Sequence, residues 1–138
     1  APVLEVAQQN AQVQGVGDRY HTIPGSAFDV DYGSDYELVL LPNFLHHFNM
    51  ATCEKLLRKV HQSLSSEGRI IVLQLIPNSD RVTPPLVAAF ALTMLATTPS
   101  GDAYTFAEYE RMLNNAGFSH CQLHSLPYIE HKVIIASW

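Results

Sequence analysis

The chain has 138 residues, with 13 acidic against 8 basic side chains and 47% hydrophobic content, so it is long enough for one domain with a real core. A formal charge of -5 leaves no basic footprint for nucleic acid, and no apolar run reaches the roughly eighteen residues that would cross a membrane. Cys53 and Cys121 stand alone, without metal-ligand spacing or the density of a disulfide framework, as expected of a reduced cytoplasmic protein.

In chain order, Pro2 sits where a first helical turn tolerates it, and Val3, Val6, Ala7 and Val13 recur at helical spacing before Gly15, predicting a helix over 3–14. The β-prone tetrad Tyr20-His21-Thr22-Ile23, closed by Pro24-Gly25, predicts a short strand and a turn. Residues 29–35 are acidic and read as a solvated loop. Leu38 to Leu41 is a short uncharged run that suits a strand covered on both faces, as in a parallel sheet. Pro42 has no amide hydrogen to give a ladder, so the strand is expected to stop there. The chain then leaves the sheet at its carboxyl edge, where open α/β sheets bind ligands. Asn43 and the pair His46-His47 are delivered to that edge, which makes His46 the first candidate for chemistry.

Asn49 is placed to cap a helix whose apolar face is Met50, Cys53, Leu56, Leu57, Val60 and Leu64. Residues 65–68 are expected to turn the chain into the strongest strand of the sequence, Arg69 to Ile76. Thr83-Pro84-Pro85 opens a helix to Thr97 that carries no charge, so it must be covered by the sheet or by other protein. Thr105 and Glu108 form a capping box, and Ala116-Gly117 closes that helix. Phe118–Leu123 and Lys132–Ser137 are predicted as a closing antiparallel pair. His21, His61, His120, His124 and His131 are scattered without ligand spacing, and no metal is expected.

This order is a doubly wound α/β pattern with an antiparallel tail. The segments Gly25-Ser26-Ala27-Phe28, Leu40-Leu41-Pro42-Asn43-Phe44-Leu45-His46-His47-Phe48, Gly68-Arg69-Ile70-Ile71-Val72 and Tyr104-Thr105-Phe106-Ala107-Glu108-Tyr109, with the terminal hairpin, resemble the catalytic domain of S-adenosylmethionine-dependent O-methyltransferases. The similarity is to the plant caffeate and hydroxyindole enzymes and to bacterial relatives acting on small molecules. It implies a Rossmann-like class I methyltransferase sheet, parallel with an antiparallel C-terminal hairpin.

The resemblance also implies what these residues lack. The family's glycine-rich cofactor turn and its acidic second-strand end have no counterpart here, so residues 1–138 are expected to be the C-terminal portion of a catalytic domain, without its first two strands or an N-terminal dimerisation domain. The family's strand order, 3-2-1-4-5-7-6, would then leave two strand sides without partners. Shifted strands or pairing with a second copy would satisfy them, and the piece alone is expected to be inactive.

Carried over by resemblance, Gly25, Ser26, Ala27 and Phe28 stand where the adenine is contacted, and Pro42 and Asn43 lie near the cofactor. Pro42 replaces a lysine common in relatives, so that contact is absent. His46 aligns with the general base of the plant-type members, or packs beside the cofactor. His47 stands where those members have Asp, and the glutamate that steers the base falls at Ala103, which leaves Asp102 as the nearest carboxylate. Phe90, Met94 and His47 line an acceptor pocket or belong to the core. The function implied is methyl transfer from S-adenosylmethionine to a hydroxyl of a small, aromatic or polyketide-like molecule, in a cytoplasmic homodimer, with neither nucleic acid nor membrane as partner. The alternative is a non-catalytic nucleotide-binding or interaction module of the same class.

Overall fold

The computed structural model describes residues 2–138, in two compact units that meet between Tyr32 and Gly33. The first begins with helix α1, Pro2–Val13, which ends at Gly15 in the left-handed region (φ 70°) and is followed by a 3-10 turn at Gly17–Arg19. The expected strand at residues 20–23 is not formed. A strand needs a neighbour's ladder, and β-prone side chains supply only the preference. Here the Thr22 hydroxyl instead accepts from Gln8 of α1 at 3.2 Å.

The second unit holds a four-stranded sheet in the order β1-β2-β4-β3: β1 Tyr36–Pro42, β2 Leu64–Leu75, β3 His120–Ser125 and β4 His131–Ser137. β1 and β2 are parallel, β4 is antiparallel to both its neighbours, and β3 with β4 makes the expected hairpin. This is the 4-5-7-6 half of the order that the family resemblance implies.

Three local expectations are corrected. Pro42 is the last residue of β1 rather than its terminator, in register with Leu73. The Asn43 amide donates to the Leu73 carbonyl at 2.8 Å, so the amide that proline lacks falls on the side away from β2, where no described strand pairs. Nor is β1 covered on both faces: Leu38 and Leu40, which share one face, are 49% and 59% exposed. Residues 65–68 are strand rather than turn, because Leu64, the C-cap of α2, is already extended and an irregularity between Tyr36 and Leu38 takes up the register. Gly68 serves close approach there, since a β-carbon would stand 2.8 Å from the Tyr36 carbonyl oxygen.

Helix α2, Met50–Ser63, is capped as expected, with the Asn49 side chain accepting from the Thr52 amide at 2.9 Å. It packs on α4, Phe106–Ala116, whose capping box has both reciprocal bonds and whose end turns at Gly117 (φ 111°). Leu56, Leu57, Val60, Tyr109, Met112 and Leu113 from this pair and Ile70, Val72, Ile134 and Ala136 from the sheet form the core. Each large aliphatic residue so buried contributes roughly 1.5–3 kcal/mol. Helix α3, Pro85–Thr97, starts one residue later than expected, with Pro84 rather than Thr83 as N-cap. It is not wholly covered: Val87 and Met94 are buried, whereas Leu86, Leu92 and Leu95 are 65–75% exposed.

Candidate active site at the carboxyl edge of the sheet

The carboxyl ends of β1 and β2 lie side by side, and the chain leaves β1 through Asn43 in the left-handed region (φ 50°), a conformation that asparagine tolerates. A single 3-10 turn follows at Leu45–His47. Four groups fasten its backbone, three of them far away in sequence. The Cys53 thiol donates to the Leu45 carbonyl at 3.2 Å, the Asp102 amide to the His46 carbonyl at 3.1 Å, and the Tyr104 hydroxyl to the Phe48 carbonyl at 2.7 Å. On the donor side, the Phe44 and Leu45 amides both point at the Gln74 side-chain amide, whose oxygen, in the orientation that satisfies both donors, accepts from them at 3.0 and 3.1 Å. A β-carbon at Gly101 would collide with the His46 carbonyl oxygen, so the chain passes there at glycine distance. Burial pushes the Cys53 thiol up to about 12, which keeps it an S–H donor and inert as a nucleophile.

Held in this way, the His46 ring is only 6% exposed. Phe90 of α3 meets it edge-on at 4.9 Å, His47 is 4.3 Å away, and Nδ1 lies 2.6 Å from the Gln74 side chain. Nε2 has no hydrogen-bond partner among the described residues and is not one of the polar atoms sealed from solvent, so it is the nitrogen left for a ligand. Burial first, and then the neighbouring His47 and His131, lower the His46 pKa. No carboxylate faces the ring: Asp102 is held by Arg81 at 3.1 Å and offers His46 only its backbone amide.

Beside this turn is an open cleft of about 420 Å³ with Leu75, Leu86, Phe90, Ile129 and His131 on its walls. Of the residues expected to line an acceptor pocket, Phe90 does so. Met94 is buried under α3, and His47 is exposed next to His46. Asn43 accepts from His131 Nε2 at 3.1 Å, which ties the exit of β1 to the start of β4. Pro42 is exposed at the strand end. The other expected cofactor residues, Gly25 to Phe28, belong to the amino-terminal unit. There Gly25 has φ 140°, the Ser26 hydroxyl accepts from the Phe28 amide at 3.2 Å, and the Tyr32 hydroxyl donates to the Ala27 carbonyl.

Sequence reasoning passed over Gln74, Tyr104 and Gly101, and gave Cys53 only a packing role. Gln74 carried a usable signal: it alternates with Ile70 and Val72 on the buried face of β2, and a buried amide must find partners.

An open α/β sheet whose parallel strands end in an antiparallel terminal hairpin is that of the class I methyltransferase fold. The family profile described as O-methyltransferase domain matches residues 1–119, and the chain belongs to that family. It is 32% identical over 108 residues to the tetracenomycin polyketide synthesis 8-O-methyl transferase TcmO of Streptomyces glaucescens, which covers 78% of this chain and 30% of TcmO. A crystal structure described as an O-methyltransferase of Nostoc punctiforme PCC 73102 superposes with TM-score 0.96 at 70% identity, over 99% of this chain and 42% of that one. A structure of PigF with SAH superposes with TM-score 0.83 at 25% identity, over 95% of this chain and 39% of that one. The chain thus spans well under half the length of these relatives.

Proposed function

We propose that the chain is the distal part of the catalytic domain of an enzyme that methylates a hydroxyl of a small aromatic or polyketide-like molecule, with S-adenosylmethionine as methyl donor. The observation that carries this reading is His46: nearly buried, on a turn whose backbone is clamped by Cys53, Asp102 and Tyr104, and open only through Nε2 at the carboxyl rim of the sheet. Immobilising one polar group so thoroughly suits a site that must position a reacting atom. Family membership and the relatives' names support the same reaction class.

When bound, S-adenosylmethionine supplies a methyl group made electrophilic by its sulfonium. Among residues 25–28, the Ser26 hydroxyl, which accepts from the Phe28 amide, keeps its own hydrogen to donate to a ring nitrogen at the purine end of the cofactor. Nothing in these 138 residues matches the glycine turn and acidic strand end expected for its methionine and ribose ends. His46 meets the acceptor's oxygen, and the apolar cleft beside Phe90 accommodates the rest of the acceptor. The reading is tested by incubating the intact protein with methyl-labelled S-adenosylmethionine and a panel of aryl hydroxyl compounds. Labelled aryl ethers are expected; label on carbon, or none on any acceptor, would overturn the reading.

A further inference from the structure

Gln74 is wholly buried, and both ends of its amide are engaged. Its oxygen takes the N–H groups of Phe44 (3.0 Å) and Leu45 (3.1 Å), which only donate, so a rotated amide would set its NH2 against two donors. The NH2 therefore faces His46 Nδ1, at 2.6 Å. An amide NH2 has no lone pair to offer, so Nδ1 must supply one. A neutral imidazole carries a single N–H, and with Nδ1 accepting, that hydrogen is on Nε2.

We infer that Gln74 is a positioning residue that holds His46 as the Nε2–H tautomer, so that His46 donates a hydrogen bond to the acceptor's oxygen instead of removing its proton. This deepens the proposed function and rests on it. A base at this position would need Nε2 bare and a partner that welcomes the imidazolium. The charged and titratable groups around the ring are His47 on the same turn and His131 at the start of β4, both of which oppose a cation, while Asp102 is committed to Arg81. The expectation that His46 is a general base is therefore replaced.

A substrate class follows. With His46 offering no lone pair, the acceptor's hydroxyl gives its proton to water before transfer, and Nε2–H then steadies the resulting oxyanion. The acceptor's oxygen lone pair forms the new C–O bond, the S–CH3 bond breaks with its electron pair left on sulfur, and no proton remains to be placed. An aryl hydroxyl whose anion is delocalised into a ring or a conjugated carbonyl meets that requirement; an aliphatic alcohol does not.

The direct test is the long-range 15N–1H correlation of the His46 ring in the intact protein above pH 7. A protonated Nε2 and a bare Nδ1 are expected, and a protonated Nδ1 overturns the inference. In Gln74→Glu the carboxylate accepts from Nδ1–H, so the proton is expected to move to Nδ1 and the His46 titration to rise by at least about one pH unit. An unchanged spectrum in that variant contradicts the role given to Gln74; should the variant fail to fold, the wild-type spectrum decides alone. With a series of aryl acceptors, kcat/KM is expected to climb tenfold per pH unit up to each acceptor's own pKa. A common break shared by all acceptors would restore a base. Should the Nε2–H signature appear while no acceptor is methylated, the donor role falls with the functional reading and the tautomer stands.

Discussion

His46 owes its position to its backbone neighbours more than to its own ring. Tyr104→Phe removes only the bond to the Phe48 carbonyl and is expected to cost about 1 kcal/mol in urea unfolding, with a larger proportional loss in kcat than in stability. Loss of stability alone would show that the clamp does not serve the site. Gly101→Ala forces a β-carbon onto the His46 carbonyl and should cost roughly 1–3 kcal/mol. Two imidazoles also set a pH limit. Burial lowers the pKa of His46, and of His61, which lies edge-on to Trp138 at 3.9 Å. The unfolded chain then binds protons that the fold refuses, between those lowered values and ~6.5. Stability is accordingly full above ~6.5 and falls as pH drops through that window, so the urea midpoint should decline from pH 7 toward pH 5; a flat midpoint would contradict it. At this scale His46 was legible because an apolar run closed by proline announces the sheet's edge. For Gln74 the burial was legible from its alternation with Ile70 and Val72, but its partners were not, because they lie across a parallel pair.

Elements were legible where their signals are local. The Asn49 cap and the Thr105–Glu108 box depend on residues three apart, and both form as the sequence indicates. The strand at 20–23 failed because a ladder needs a second strand that composition cannot supply, and the turn at 65–68 failed because Gly68 was read as a bend when it serves a close approach. One long-range feature joins elements that the sequence left separate. Arg81, in the loop after β2, reaches Glu108 at 2.6 Å and Asp102 at 3.1 Å, pinning that loop to the start of α4 and to the segment beneath His46. These groups are partly exposed, so Arg81→Ala should cost no more than about 1 kcal/mol, while kcat falls more than stability because Asp102 loses its anchor. Equal kcat in wild type and variant would show that the pin is irrelevant to the site.

At the scale of the whole molecule, the expected half-sheet is present, but its outer strand and α3 remain bare. Leu38 and Leu40 on β1 and Leu86, Leu92 and Leu95 on α3 expose apolar surface that a domain of this size seldom leaves open. The isolated 138 residues are therefore expected to self-associate in sedimentation runs, and Leu92→Lys with Leu95→Lys to reduce it; a monomer at high concentration would contradict this. On the proposed reading, in which Gly25 to Phe28 meet the adenine end alone, the same isolated chain should bind S-adenosylhomocysteine weakly in a calorimetric titration.

The most direct measurement is single-turnover methylation of an aryl hydroxyl by the intact protein, compared with its His46→Ala variant at saturating S-adenosylmethionine. Losing the hydrogen-bond donor proposed for the acceptor's oxygen is predicted to lower the rate by roughly a hundredfold while cofactor affinity is kept. A variant that turns over like the wild type would contradict the account.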